Sequence, residues 1–114
     1  MHVEDFTAHC CAKEEVETGF PFGEQTLVFK FRGKIFALLS LDEYPPRANL
    51  KCDPERALAL REQYPEDVLP GYHMNKKHWN TVIIGQGALS DALICDLIDH
   101  SYALVCAKAP IKKP

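Results

Sequence analysis

The hydrophobic and polar positions between residues 26 and 41 predict a β-hairpin. Two runs rich in β-branched, aromatic and aliphatic residues, 27–31 and 35–39, flank the dipeptide Arg32-Gly33. A loop of two residues between such runs is typical of a tight hairpin. The loop also predicts the register, in which Phe29 faces Phe36 and Phe31 faces Lys34. One apolar face would then hold Leu27, Phe29, Phe36 and Leu38.

Three other segments have helical spacing or helix boundaries. Apolar residues recur at the 3.6-residue period near the start of the chain and predict a helix over residues 3–13. Asp53, Pro54 and Glu55 form a strong helix start, and that helix should end before Pro65. Ser90 can cap a last helix whose broad apolar stripe should cover a sheet; its members are Leu93, Ile94, Leu97, Ile98, Leu104 and Val105.

The remaining strands are predicted from shorter runs. Residues 48–52 indicate a third strand, and residues 70–82 indicate a second hairpin. Asn75 tolerates positive φ and is expected at its turn, which puts Lys76 and Lys77 at the tip. Residues 18–23 are interpreted as a connector whose phenylalanines, Phe20 and Phe22, anchor it to the core. The tail from residue 110 onwards is expected to fray.

The order of these elements is helix, hairpin, strand, helix, hairpin, helix. It predicts an α+β fold in which an antiparallel sheet carries its helices on one face. A length of 114 residues suits one domain, residues 1–114, that is stable without disulfides or metal. We expect a monomer.

Composition limits the function classes. The chain is 46% hydrophobic and 25% charged, and it contains no apolar run of membrane-spanning length. The acidic N-terminus does not resemble a secretory signal, so a cytoplasmic protein with five free cysteines is expected. A net charge of -3 gives no general attraction to polyanions, and any contact with nucleic acid must come from a local patch.

The chain resembles the YjbR/MmcQ family of small bacterial proteins. The most specific part of the match is residues 70–82, Pro-Gly-Tyr-His-Met-Asn-Lys-Lys-His-Trp-Asn-Thr-Val; weaker parts include Phe20-Pro-Phe-Gly23 and Gly33-Lys-Ile-Phe-Ala37. The resemblance implies a fold similar to frataxin or CyaY and a DNA-binding role through two hairpin wings. Carried over to this chain, the wings are residues 30–34 and 75–78.

Local charge favours the same role. Three cations and no acid lie between Gln25 and Leu41, and two lysines and no acid lie between Val68 and Ser90. Two basic hairpins could contact phosphates, but lysines at hairpin tips also keep sheets soluble and their edges unpaired. The candidate nucleic-acid-binding residues are Lys30, Arg32, Lys34, Lys51, His73, Asn75, Lys76, Lys77 and His78.

Other chemistry is less well supported by the sequence. His73 and His78 could face each other in paired strands, but no third metal ligand has a standard spacing, so structural roles are favoured. Tyr72 and Trp79 could stack on bases, although packing within the sheet is the preferred interpretation. No nucleophile with an adjacent base is visible, so neither an enzyme nor a cofactor is expected. Two alternatives stay open: a protein-interaction or chaperone-like module, and frataxin-like iron binding by the acidic residues of the first helix and the segment after it.

Overall fold

The structure of the protein, a computed structural model, describes residues 1–85 and 87–108. The expected tail from residue 110 lies outside the described residues. In chain order the elements are α1 (Val3–Cys11), β1 (Val16–Gly19), β2 (Thr26–Phe31), β3 (Lys34–Ser40), β4 (Arg47–Lys51), α2 (Pro54–Gln63), β5 (Val68–Pro70), β6 (Trp79–Ile83) and α3 (Asp91–Lys108). No helix in these two ranges is long and apolar enough to cross a membrane.

The six strands form one antiparallel sheet in the order β1-β2-β3-β4-β6-β5. α3 packs across β2, β3 and β4, and α1 packs on α3, while α2 packs beside β5. The predicted α+β fold with helices on one face is therefore confirmed. The opposite face of the sheet has no helix of the described chain on it, and we call it the open face.

A β-bulge changes the predicted register of the first hairpin. Phe31 pairs with Lys34 as predicted, but Phe29 pairs with Ala37 because the register shifts beside it. The extra residue is Phe36, whose ring still reaches the core and lies 6.2 Å from that of Phe29. Beyond the bulge the alternation is reversed, so the prediction that Leu38 shares this apolar face is wrong. Leu38 lies on the open face.

The helix predictions are confirmed at their caps. The Asp53 carboxylate accepts a hydrogen bond from the backbone N–H of Arg56 at 3.4 Å, and the Ser90 hydroxyl accepts one from that of Leu93 at 3.1 Å. α2 ends before Pro65, as expected. The stripe of α3 buries Ile94, Leu97, Ile98 and Val105 against the sheet, whereas Leu93 and Leu104 are half-buried at its margins.

The segment after α1 differs from the prediction. Residues 16–19 form the edge strand β1, whose half-exposed pattern gives little periodic signal. Phe20 and Phe22 do not anchor a connector in the core, because their side chains are 51% and 67% exposed. Both rings stand at the surface in the loop that leads into β2.

The second hairpin exists, but its tip is longer than predicted. β5 and β6 pair from Val68–Val82 to Pro70–Asn80, and residues 71–78 form a loop of eight residues. Asn75 is not the residue with positive φ; His73 takes that conformation, with φ at 60°. Asn75 instead closes a local turn, since its side-chain oxygen accepts a hydrogen bond from the N–H of Lys77 at 2.9 Å.

Candidate nucleic-acid interface

The antiparallel register places both predicted tips at the same end of the sheet. The Phe31–Lys34 pair closes the first hairpin, and the Lys51–Trp79 pair lies next to the loop 71–78. Because Ala37 pairs with Leu50, Lys51 lies beside the start of β3. The tip at residues 32–33, the end of β4 and the loop 71–78 therefore meet at one end.

A shallow depression of about 370 Å³ joins these parts. Its lining residues are Gly33, Lys34, Ile35, Lys51, Met74, Trp79, Val105 and Lys108. We call Lys34, Lys51 and Lys108, together with Lys76 and Lys77 of the neighbouring loop, the basic end. Sequence reasoning did not include Lys108, because its position depends on where α3 ends relative to the sheet.

The three lysines of the depression are close enough to influence one another. Partial burial, followed by repulsion from Lys108 and Lys34, lowers the pKa of the Lys51 ammonium group. In the described part of the chain, no ion pair involves any of these three side chains. Their charge is thus not compensated by a neighbouring carboxylate and is available to an anion.

Of the other two predicted cations of the first tip, Arg32 is paired with an acid and Lys30 lies opposite one. The guanidinium of Arg32 donates hydrogen bonds to both carboxylate oxygens of Glu15, at 3.2 Å and 2.8 Å. Lys30 lies directly opposite Glu17 on neighbouring strands. Both acids come from the segment around β1, which is why the sequence window from Gln25 to Leu41 looked free of acid.

Hydrogen bonds hold the loop 71–78 in place. The Arg61 guanidinium, from α2, donates to the backbone oxygens of Lys76 and Trp79, the latter at 3.3 Å, and to the side-chain oxygen of Asn80 at 2.7 Å. The Lys76 ammonium donates to the Gly71 carbonyl at 3.2 Å. The side chains of Lys76 and Lys77 are exposed on this fixed loop.

His73 and His78 both lie in the loop 71–78 and not in paired strands, so the alternative in which they face each other across strands does not apply. The ring of exposed His73 lies against that of Tyr72, with centroids 3.9 Å apart and planes tilted by 49°, and the backbone oxygen of half-buried His78 accepts a hydrogen bond from the N–H of Cys52. Tyr72 is 66% exposed and is not packed in the sheet, whereas Trp79 is half-buried beside Lys51. Within residues 1–85 and 87–108, no cluster of three or more His, Cys, Asp or Glu side chains could hold a metal ion.

Gly71 fixes the start of the loop. A Cβ atom at this position would lie 2.8 Å from the Cβ of Trp79 and 2.9 Å from its carbonyl oxygen. Gly71→Ala should therefore displace the loop and lower the free energy of unfolding by about 2 kcal/mol. Urea denaturation would measure this loss, with Gly19→Ala as the control because a Cβ there meets no atom within 4 Å. Equal stability of the two variants would contradict the close approach.

Comparison with known proteins gives a consistent family assignment. A family model described as YjbR matches residues 11–104. The uncharacterized Escherichia coli protein YbdF is 49% identical over 90 residues, which are 79% of this chain and 72% of that protein. The uncharacterized Escherichia coli protein YjbR is 34% identical over 113 residues, covering 99% of this chain and 94% of that one.

Solved structures share the fold. The crystal structure of a Deinococcus radiodurans protein with a DUF419 domain matches with a TM-score of 0.91 and 38% identity, covering 96% of this chain and 82% of that one. A crystal structure from Pseudomonas syringae matches with a TM-score of 0.75 and 28% identity, covering 92% of this chain and 99% of that one. By sequence and by fold, the chain belongs to the YjbR family.

Proposed function

We propose that the protein is a non-enzymatic DNA-binding module that contacts the phosphate backbone through the basic end. The observation that carries this proposal is the register of β3, β4 and β6, which brings the two basic hairpin tips to the same end of the sheet. Had the tips pointed to opposite ends, one duplex could not have contacted both. Uncompensated lysines on a protein of net charge -3 supply the local patch that phosphate binding requires.

The contributions of the predicted residues are unequal in this proposal. Lys34 provides the phosphate contact of the first tip, because Arg32 is paired with Glu15 and Lys30 lies opposite Glu17. Lys76 and Lys77 provide the phosphate contacts of the second tip. Lys51 and Lys108 line the depression between the two tips. The side chains of Asn75 and His73 make contacts within the loop, and His78 supplies a backbone contact to Cys52. These three residues therefore shape the second tip.

About five phosphate contacts would give a slope of about -4 to -5 in a plot of log K against log salt concentration. Affinity for a short duplex at physiological salt would be weak, with a Kd on the order of 10 to 100 μM. We expect little sequence preference, because four of the five proposed cations lie on strands or in a loop and all five are lysines, which do not form bidentate contacts with bases as arginines do.

The test is fluorescence anisotropy of a labelled duplex titrated with protein at several salt concentrations. The double variant Lys34→Gln/Lys51→Gln should bind more weakly at low salt, and its salt slope should be shallower by about 2 because two phosphate contacts are lost. Arg47→Gln is the matched control, since it also removes a cation but lies at the opposite end of β4, paired with Glu43. Binding of the double variant with the affinity and slope of the unaltered protein would refute the proposal.

A further inference from the structure

A groove of about 430 Å³ on the open face of the sheet contains none of the lysines that would make phosphate contacts, and it shares only Met74 with the depression of the basic end. Its floor is formed by side chains from successive central strands: Thr26 of β2, Leu38 and Ser40 of β3, and Asn49 of β4. Three loops supply the walls, with Phe22 and Gln25 on one, Asp42 and Glu43 on the second, and Tyr72, His73 and Met74 on the third. The bulge at Phe36 helps to create this site, because it turns Leu38 towards the open face.

One wall of the groove is fixed to the sheet by polar contacts. The N–H of Tyr72 donates to the Thr81 hydroxyl at 3.0 Å, and that hydroxyl donates to the Asn49 side-chain oxygen at 2.5 Å. The Asn49 amide group in turn donates to the carbonyl of Tyr72 at 3.3 Å. The aromatic ring of Tyr72 is therefore held over the open face by its backbone, while the ring itself stays exposed.

Two exposed aromatic side chains, Phe22 and Tyr72, line this groove. In the described part of the chain, the large hydrophobic residues that remain exposed are Phe20, Phe22, Leu41, Tyr44, Leu58 and Tyr72. All except Leu58 lie on the three loops that supply the walls. Exposed aromatic side chains that share one groove, as Phe22 and Tyr72 do, are typical of an interaction surface, whereas single ones are unremarkable.

The charge of the groove is opposite to that of the basic end. No lysine or arginine is among its lining residues, and the carboxylates of Asp42 and Glu43 stand at its rim. Glu43 is paired with Arg47 at 2.6 Å, whereas Asp42 takes part in no ion pair with another described residue. An aromatic wall beside an uncompensated carboxylate attracts a cation that brings its own apolar stem.

We propose that this groove is a docking site for a peptide segment that presents a lysine or arginine side chain. The aliphatic stem packs on Leu38 between Phe22 and Tyr72, and the cationic head reaches Asp42. The hydroxyl and amide groups of Ser40, Gln25 and Asn49 offer hydrogen bonds to the peptide backbone. A nucleic acid is the less suitable occupant, because its phosphates would approach the two carboxylates of the rim. This site does not depend on the proposed DNA contacts.

The test is a titration of the isotopically labelled protein with two capped tripeptides, glycine–arginine–glycine and glycine–citrulline–glycine, followed by amide chemical shifts. Citrulline has nearly the shape of arginine without its charge. The arginine peptide should shift the amides of Leu38, Ser40 and Asn49 at millimolar concentrations, with a Kd about tenfold lower than that of the citrulline peptide. Asp42→Asn should remove this preference, and Phe22→Ala should raise the Kd about fivefold.

Two controls separate this site from the basic end and from general charge effects. Glu62→Gln removes an exposed carboxylate on α2 and should leave the Kd of the arginine peptide unchanged. The Lys34→Gln/Lys51→Gln variant should also bind the peptide normally, even if its DNA binding is lost. Equal affinity for the two peptides, shifts confined to residues outside the groove, or no shift with either peptide would each overturn the proposal.

Discussion

Phe36→Ala is expected to lower the free energy of unfolding by about 4 kcal/mol. The side chain has no exposed surface, and its ring packs against Tyr102 of α3 with centroids 5.2 Å apart and against Phe29 of β2 with centroids 6.2 Å apart. Truncation would therefore remove contacts between the sheet and the helical layer and leave a cavity at the bulge. Denaturation in urea, followed by circular dichroism, would measure the loss.

Phe20→Ala is the matched control for this experiment, since it removes an identical ring that is 51% exposed. Its unfolding free energy should stay within about 0.5 kcal/mol of the unaltered protein. If Phe36→Ala cost as little as Phe20→Ala, the bulged residue could not be part of the core and the observed register would be wrong.

Ser101→Ala is expected to cost about 3 kcal/mol although it removes a single oxygen atom. The Ser101 hydroxyl is fully buried on α3, where it donates a hydrogen bond to the Phe36 carbonyl at 2.5 Å and accepts one from the Lys51 N–H at 2.9 Å. The pairing of β3 with β4 ends at Ala37 and Leu50, so Phe36 and Lys51 lie just beyond the last pair of this ladder. Without the hydroxyl both groups would lose a hydrogen bond, the Phe36 carbonyl in a buried position and the Lys51 N–H in a partly buried one.

Two measurements would test the role of Ser101. Urea denaturation would give the loss of stability, with Ser90→Ala as the control because it removes an exposed helix cap worth about 1 kcal/mol. Hydrogen exchange would report the Lys51 amide directly, which should exchange faster in Ser101→Ala than in Ser90→Ala. A Lys51 amide that stays protected would show that the hydroxyl is not its partner.

The features that sequence predicted are those that depend on near neighbours. The capping residues Asp53 and Ser90, the two-residue loop at Arg32-Gly33 and the stripe of α3 all follow from patterns within a few residues. Such signals are sufficient for the helix starts and for the first hairpin. Together with the order of the elements, they were enough to predict the α+β fold.

The features that sequence missed depend on residues far apart in the chain. The bulged residue Phe36 contacts Tyr102 and Ser101, which lie more than sixty residues away in the chain. The pairing of Arg32 with Glu15 requires β1 to lie beside β2, and β1 itself has little periodicity. No local pattern could show either contact.

The candidate interface also combines features that local sequence predicts with features that depend on residues far apart in the chain. The sequence identified two basic tips. That both lie at the same end of the sheet follows only from the pairing of β4 with β6, two strands that α2 and β5 separate along the chain. Lys108 joins them because α3 runs back towards that end of the sheet. The open-face groove could not be foreseen, because its floor and its walls come from segments spread between residues 22 and 74.

The two outer strands have a consequence for how the molecule associates with others. β1 has four residues and β5 has three, and Pro70 at the end of β5 carries no N–H. Each border of the sheet therefore offers a short row of backbone donors and acceptors, which is a poor template for the addition of a further strand. Growth of the sheet from chain to chain, the route to amyloid-like aggregates, is disfavoured. Binding of other molecules therefore depends on side chains and not on the addition of a strand to the sheet.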